Sequence, residues 1–174
     1  MKIGVMSDSH DNLPRIRQAV ARFAQAGCER LLHAGDIVAP FAAKEMARFE
    51  GRVSGVFGNN DGEREGLLKA WPELSPAPRR LEIAGRRIVL VHALSDLGRA
   101  SALDGDEAAA DYLRMAEAEI LISGHTHEAF VRHDHAGVPV LHVNPGETGG
   151  WVTGRATVAI LDTKSLTVHI AELE

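Results

Sequence analysis

The sequence predicts an α/β protein whose core includes more than one sheet. Two observations carry that expectation. Through the first half, short β-like runs alternate with helical stretches, and beyond residue 80 the pattern turns to hairpins and closely spaced strands around one helical stretch. "KIGVM" reads as the first strand and the small, polar "SDSHDN" as the loop after it. "LPRIRQAVARFAQAG" reads as a helix, with Pro14 suited to its first turn and Gly27 to its C-terminal stop. Ile16, Val20 and Phe23, joined by Ala19 and Ala26, form its apolar stripe.

"RLLHA" is the second strand, "PFAAKEMARFE" a second helix, residues 53–57 a third strand and 62–70 a short helix. The Pro-rich "WPELSPAP" reads as a loop within one domain. "RLEIAGRRIVLVH" has the signature of two strands around an Ala-Gly turn. A helix over 107–118 leads into the strand "EILIS". "VPVLHVN", "RATVAILD" and "LTVHIAEL" complete the chain, with turns at "HAGV", "PGETGG" and "DTKS". No internal repeat interrupts the pattern, and residues 1–174 are expected to form a single domain with no room for a cap domain.

Of the 174 residues, 45% are hydrophobic and 25% charged, the balance of a folded soluble protein. A formal net charge of −5 provides no global field to attract nucleic acid, so a phosphate-bearing substrate needs a local positive charge. A bound metal is one such source. Cys28, the single cysteine, cannot form an intrachain disulfide, and no apolar window is long enough to span a bilayer. With no signal-peptide layout before the apolar run 3–6, a cytoplasmic protein without membrane attachment is expected. Self-association is left open.

Five strand candidates end in residues able to bind metal. The first leads to Asp8 and His10, the second to Asp36, the third to Asn59, Asn60 and Asp61, the hairpin to His92, and "ILISGHTHEAF" to His125 and His127. Taken singly, each has an ordinary explanation: a cap or turn for D-x-H, turn chemistry for Gly-Asp and Asn-Asn-Asp-Gly, a satisfied strand-end histidine for His92. Taken together they converge, because ligands collect at the ends of neighbouring strands in α/β sheets. Residues two apart on an extended segment also share a face, which lets Asp8 and His10 share a target. Imidazole, carboxylate and amide oxygen without thiolate suit Mn, Fe, Co, Ni or Zn rather than a structural zinc–cysteine site. Asp8, His10, Asp36, Asn59, His92, His125 and His127 are too many for one tetrahedral ion. They suffice for two, about 3.5–4 Å apart, holding a bridging hydroxide for in-line attack on a phosphoester.

Other polar residues have plainer roles. His33, just before Asp36, is expected to be buried and hydrogen-bonded, orienting the loop. His133 and His135 are placed in an exposed hairpin turn, and His142 in a strand, facing the site or the core. "GETGGWVTG" lacks the Lys-Ser/Thr ending of a phosphate-binding loop and reads as a wide turn. Cys28 has no motif that would make it a nucleophile. No G-x-G-x-x-G follows the first strand, which sets aside a dinucleotide-binding domain.

The ordered set "DSH", "GD", "GNND", "VH" and "GHTH", followed by "VNPGE", resembles the calcineurin-like metallophosphoesterases, above all their small bacterial and archaeal single-domain phosphodiesterases. The resemblance implies two facing mixed β-sheets flanked by helices, an αββα four-layer sandwich. It implies that Asp8, His10 and His127 hold one divalent ion, that Asn59, His92 and His125 hold a second, and that Asp36 bridges them. Manganese is the first expectation for both. Two positions depart from the family pattern. Asn60 stands where many relatives have a histidine, and an amide cannot act as a general acid near neutral pH. "HAL" replaces a common H-G-H at residues 92–94. Leaving groups that depart readily are therefore favoured, and a small phosphodiester is the expected substrate. Asp36, Asn59 and Asn60 are expected to act in the reaction, with Asp61 positioning its loop. Segments 62–80 and 93–106 are the expected specificity loops. The competing expectation is a non-catalytic metal-binding or protein-interaction scaffold on the same fold, whose mark would be lost ligands; all seven are present.

Overall fold

The computed structural model describes residues 1–98 and 105–174. Its first half supplies β1 (Lys2–Met6), α1 (Leu13–Gln25), β2 (Arg30–His33), α2 (Pro40–Ala43), β3 (Arg52–Val56) and α3 (Arg64–Ala70). The two-residue β4 (Leu74–Ser75) lies within the Pro-rich connector. The hairpin β5 (Arg79–Ile83) and β6 (Arg86–Leu90) follows, then α4 (Ser95–Gly98), α5 (Gly105–Met115) and β7 (Ile120–Ile122). The chain ends with β8 (Ala129–Arg132), β9 (Leu141–Pro145), β10 (Thr157–Asp162) and β11 (Thr167–Glu172).

These strands form two mixed sheets, in the orders β11-β10-β1-β2-β3-β4 and β5-β6-β7-β9-β8. Strands β1 to β4 run parallel, as do β6, β7 and β9, and antiparallel pairs close the other three edges at β10–β11, β5 and β8. Side-chain alternation builds the layers. Ile3, Val5 and Leu32 of the first sheet meet Ile88, Leu90, Ile120 and Ile122 of the second in one core between the sheets. The opposite face of the first sheet buries Met6 and Leu31 under Ile16, Val20 and Phe23 of α1. The outer face of the second sheet packs Val89 and Leu121 against Ala109, Ala110 and Leu113 of α5. Helix, sheet, sheet and helix are the four layers that the family resemblance implies.

Local chemistry explains most boundaries. The Asn12 side chain accepts from the Arg15 amide at 3.4 Å and caps α1, and Gly27 turns left-handed (φ 71°) just beyond its end. The helix predicted over "PFAAKEMARFE" instead breaks after Ala43 into a 3₁₀ segment, Lys44–Arg48. Across the segment and its two caps, Ala43, Met46 and Phe49 are buried at every third position, the spacing that a 3₁₀ turn stacks on one face, and Glu45 is buried beside them. The connector, expected as a loop, adds β4 to the edge of the first sheet beside β3. Strand β8 has no apolar alternation and is half-exposed or exposed throughout, so the sequence carries little signal for it. No helix among the described residues is long and apolar enough to cross a membrane.

Strands β1, β2, β3, β6 and β7 all end toward one edge of the sandwich, where the polar loops gather. Phe23, fully buried in the α1 layer, holds that geometry from behind. Replacing it with alanine is expected to cost about 3–5 kcal/mol. A lower denaturation midpoint with unchanged steepness would register that loss.

Candidate metal centre

The five strand-end loops bring the sequence-predicted residues together. Asp8 and Asp36 are buried, and imidazole nitrogens surround their carboxylates. His127 Nε2 lies 3.4 Å from Asp8 Oδ1, and His10 Nε2 lies 4.0 Å from the same oxygen. His10 Nε2 and His92 Nε2 stand 3.6 and 3.5 Å from Asp36 Oδ2. Asn59 Oδ1 is 2.9 Å from His92 Nε2. The donor atoms of Asp8, His10 and His127 all fall within 4.8 Å of one another, as do those of Asp8, Asp36 and His92. His125 packs its ring edge-on against His92 at 5.0 Å, while its backbone amide donates to Asp8 Oδ2 at 3.0 Å.

The imidazole orientations follow from their outer nitrogens. His92 Nδ1 is 2.8 Å from the carbonyl oxygen of Ala34, which can only accept, so the proton sits on Nδ1. His127 Nδ1 is 2.9 Å from Glu147 Oε2 and is likewise the donor. In the neutral rings both Nε2 lone pairs therefore point inward, at carboxylate and amide oxygens. Acceptors facing acceptors repel unless a proton or a metal cation sits between them. Asp8 Oδ1 and His10 Nε2 are also buried without a hydrogen-bond partner. Burial pushes the Asp8 carboxyl above its ordinary range, against the hydrogen bond from Ser7 and the nearby histidines. The donor set fits divalent ions, and two of its buried atoms, Asp8 Oδ1 and His10 Nε2, have no hydrogen bond among the described residues.

The loops reach this arrangement through unusual backbone. Asp8, His10, Asp36, His125 and His127 all have positive φ, between 39° and 69°. Asp8 and His10 thus converge through a left-handed loop, not through the strand alternation expected from their spacing. Asp and His tolerate this region better than most residues, whereas Val38, with φ 86°, does not. Asp61 restrains that segment. Its Oδ1 accepts from the Ile37 and Val38 amides at 2.8 and 2.7 Å, and its Oδ2 from Asp36 and Gly58 at 3.1 and 2.7 Å. One carboxylate therefore ties the loop after β2 to the loop after β3. Two glycines are required by proximity: a Cβ on Gly58 would collide with the Asp36 carboxylate, and one on Gly124 with the Ser7 hydroxyl. Asn60 turns to Asp36, donating its backbone N–H to Oδ1 at 2.9 Å and its side-chain amide to Oδ2 at 2.7 Å.

Three supporting residues escaped sequence reasoning. Ser7 donates its hydroxyl to Asp8 Oδ2. Asp96 Oδ2 accepts from the amides of His92 and Ala93 at 3.2 and 3.0 Å, fixing the turn that carries His92. Glu147 is fully buried and accepts from His127, the Thr153 hydroxyl and the amides of Val152 and Thr153. Burial works to raise its carboxyl, but these donors together hold it below the ordinary range. The "VNPGE" stretch marked its loop; nothing local marked its partner.

His33 is buried as expected, with Nδ1 accepting from the Gly35 amide at 3.2 Å and Nε2 donating to Ser9 Oγ at 3.1 Å. His133 is exposed, but His135 is not: it turns inward, with ring centroid 5.2 Å from that of His142. The exposed turn predicted for the pair holds only for His133, because Val138 and the outer sheet face bury His135. His142 faces that outer surface, 2.9 Å from Ser123 Oγ, and not the metal centre. Residues 146–154 form the wide turn expected, with Trp151 exposed at its tip and its indole N–H on the His10 carbonyl. Burial pushes the Cys28 thiol up to about 11, which leaves it unreactive. A groove of about 210 Å³ opens beside Asn59, His92 and His125. Arg64, Pro76 and Ala77 from one expected specificity segment and Ala93 and Ser95 from the other line it; residues 99–104 of the second lie outside the described residues.

The model of the calcineurin-like phosphoesterase superfamily domain matches residues 1–166. The chain belongs to that superfamily, and by that membership it is a phosphoric ester hydrolase. It is similar to Phosphodiesterase MJ0936 of Methanocaldococcus jannaschii, 36% identical over 171 residues covering 94% of each chain. Similarity to Phosphodiesterase YfcE of Escherichia coli K12 is lower, 26% over 182 aligned positions covering 97% of this chain and 91% of the relative. Among solved structures, one described as a novel archaeal phosphodiesterase superposes with a TM-score of 0.81 at 32% identity, covering 99% of this chain and 100% of that one. A Vps29 variant from Entamoeba histolytica shares the fold, with a TM-score of 0.67 at 18% identity and full coverage of both chains.

Two outcomes are expected from this geometry. Asp61→Ala leaves four backbone donors without their acceptor and is expected to destabilise the fold by about 3 kcal/mol or more, read by chemical denaturation. Burial pushes both His33 and His142 from 6.5 down to about 3. The unfolded chain therefore binds protons below about pH 6.5 that the native metal-free protein refuses until about pH 3. Stability is full above pH 6.5 and falls steadily between those limits. His142→Gln is expected to lower that slope by up to one proton in denaturation curves recorded across the window.

Proposed function

We propose that the chain is a dinuclear metal-dependent phosphodiesterase, acting as one catalytic domain over residues 1–174 without a cap. The inward lone pairs of His92 and His127, locked by Ala34 and Glu147 against buried carboxylates, carry this conclusion. Asp8, His10 and His127 would hold one ion, and Asn59, His92 and His125 the other. Asp36 would bridge, an assignment supported by its Oδ2 lying 3.6 Å from His10 and 3.5 Å from His92. When bound, two divalent ions supply a hydroxide nucleophile at neutral pH for in-line attack and positive charge against the phosphoryl oxygens. Manganese heads the candidates, with Fe, Ni, Co and Zn suited to the same donors.

The chain's own groups orient and hold. Asn60 fixes the Asp36 carboxylate with two hydrogen bonds, Asp61 clamps the loops on either side, and Glu147 keeps the proton of His127 on Nδ1. Asn59 stands at the groove edge, where its amide can also meet a phosphoryl oxygen. No imidazole occupies position 60 to protonate a leaving group, which favours esters whose leaving groups depart unaided. The relatives named phosphodiesterases support a diester substrate. The acidic net charge gives no sign of nucleic-acid binding, and the single reduced cysteine fits a cytoplasmic setting.

Metal-free protein loaded with Mn²⁺ is expected to hydrolyse an activated aryl phosphodiester and to bind close to two ions per chain. Asp36→Ala is expected to lose that activity. Absence of metal-stimulated turnover, or full activity in the variant, would overturn the proposal. Metal stoichiometry near zero would instead favour a scaffold. Glu147→Gln is expected to weaken Mn²⁺ binding about 10–100-fold, because one amide oxygen cannot accept from His127, Val152 and Thr153 together. Calorimetric titration of the folded variant measures this directly.

A further inference from the structure

The donors at the centre are almost all engaged with the protein itself. Asn60 directs both its backbone and side-chain N–H groups to Asp36, and the outer nitrogens of His92 and His127 are held by Ala34 and Glu147. An anionic ester entering the groove beside Asn59 and His125 therefore finds few free donors. Among the described residues, one cation lines that groove. Arg64, in the first turn of α3, lies 4.9 Å over the Phe57 ring, and its Nε donates to the Asp61 carbonyl at 3.3 Å.

Both contacts come from the chain segment that carries Asn59. They seat the guanidinium at the groove, and its two terminal nitrogens have no hydrogen-bond partner among the described residues. No carboxylate among the described residues forms an ion pair with it. By contrast, Arg17 and Arg48 share Glu45, Arg86 and Arg87 share Glu119, and Arg155 pairs with Glu172. A planar fork held by an aromatic face on a chain of net charge −5 matches the two non-bridging oxygens of a phosphoryl group. The groove, about 210 Å³ and walled by Phe57, Pro76, Ala77 and Ala93, exceeds the roughly 150 Å³ that encloses a benzene ring. It has room for one ring-sized ester arm beside the phosphoryl group.

We infer that Arg64 is a substrate-binding residue that hydrogen-bonds the phosphoryl oxygens of the ester. This rests on the phosphodiesterase function proposed above, and the test separates the two. Wild type, Arg64→Ala and Arg64→Lys are each loaded with Mn²⁺, and their metal content is measured on the same samples. Inorganic phosphate is titrated calorimetrically, and hydrolysis of an aryl phosphodiester is followed in parallel. Arg64→Ala is expected to keep its metal and to weaken phosphate binding and kcat/KM about 10–100-fold, the scale of one charge-assisted hydrogen bond. Arg64→Lys should recover part of both. Phosphate affinity within about twofold of wild type in Arg64→Ala overturns the assignment, as does loss of metal from that variant, which would place Arg64 in loop support. Arg64-dependent phosphate binding in a wild type that does not turn over leaves the assignment standing and removes the proposed activity. A wild type that binds no phosphate overturns both.

Discussion

Acceptor atoms aimed at acceptor atoms in a buried site are the constraint on which this structure depends. His92 and His127 each give the Nδ1 proton outward, to Ala34 and Glu147, and in the neutral ring turn a bare Nε2 toward Asp36 and Asp8. Asp8 Oδ1 and His10 Nε2 lie among them without hydrogen-bond partners among the described residues. An apolar core has no use for such a cluster, since every unsatisfied acceptor costs desolvation energy and every pair repels. A divalent cation reverses the sign of each contact. The cost of holding the site open falls on the fold.

The fold meets that cost by interlocking the loops. Five residues of the centre have left-handed backbone, a conformation that unsupported loops would leave. Asp61 stitches two loops together through four amides, and Asp96 secures the turn bearing His92. The amide of His125 reaches across to Asp8. Beneath them, the core between the sheets packs side chains of β1, β2, β3, β6 and β7, the strands that carry these loops. Polar precision at the rim thus rests on apolar packing underneath.

Much of this was legible in the residues. Alternating β and α runs, then hairpins, announced an α/β protein with more than one sheet, and each ligand type was visible at a strand end. What escaped detection had weak local signal. Strand β8 is an edge strand without apolar alternation, and β4 is two residues long inside a Pro-rich connector. The split of the second helix followed a three-residue burial spacing that also fits an α-helix over one turn. His135 looked like half of an exposed pair, and only its contact with His142 reveals that it is buried.

The sequence by itself determined an α/β protein with more than one sheet and the donor types of the candidate centre, and the resemblance of its motifs supplied the four layers. Hydrophobic periodicity dictates which faces must be buried, and imidazole, carboxylate and amide groups at strand ends define a donor set without thiolate. Tertiary structure alone decided how those donors are aimed. Which histidine nitrogen carries the proton depends on Ala34 and Glu147, which lie 58 and 20 residues away from His92 and His127. That Asn60 serves Asp36, and that Arg64 stands at the groove without an ion pair among the described residues, likewise depends on neighbours brought close only by folding. Hydrogen-bond direction and charge pairing are properties of distance, and distance in space is what a linear chain leaves unstated.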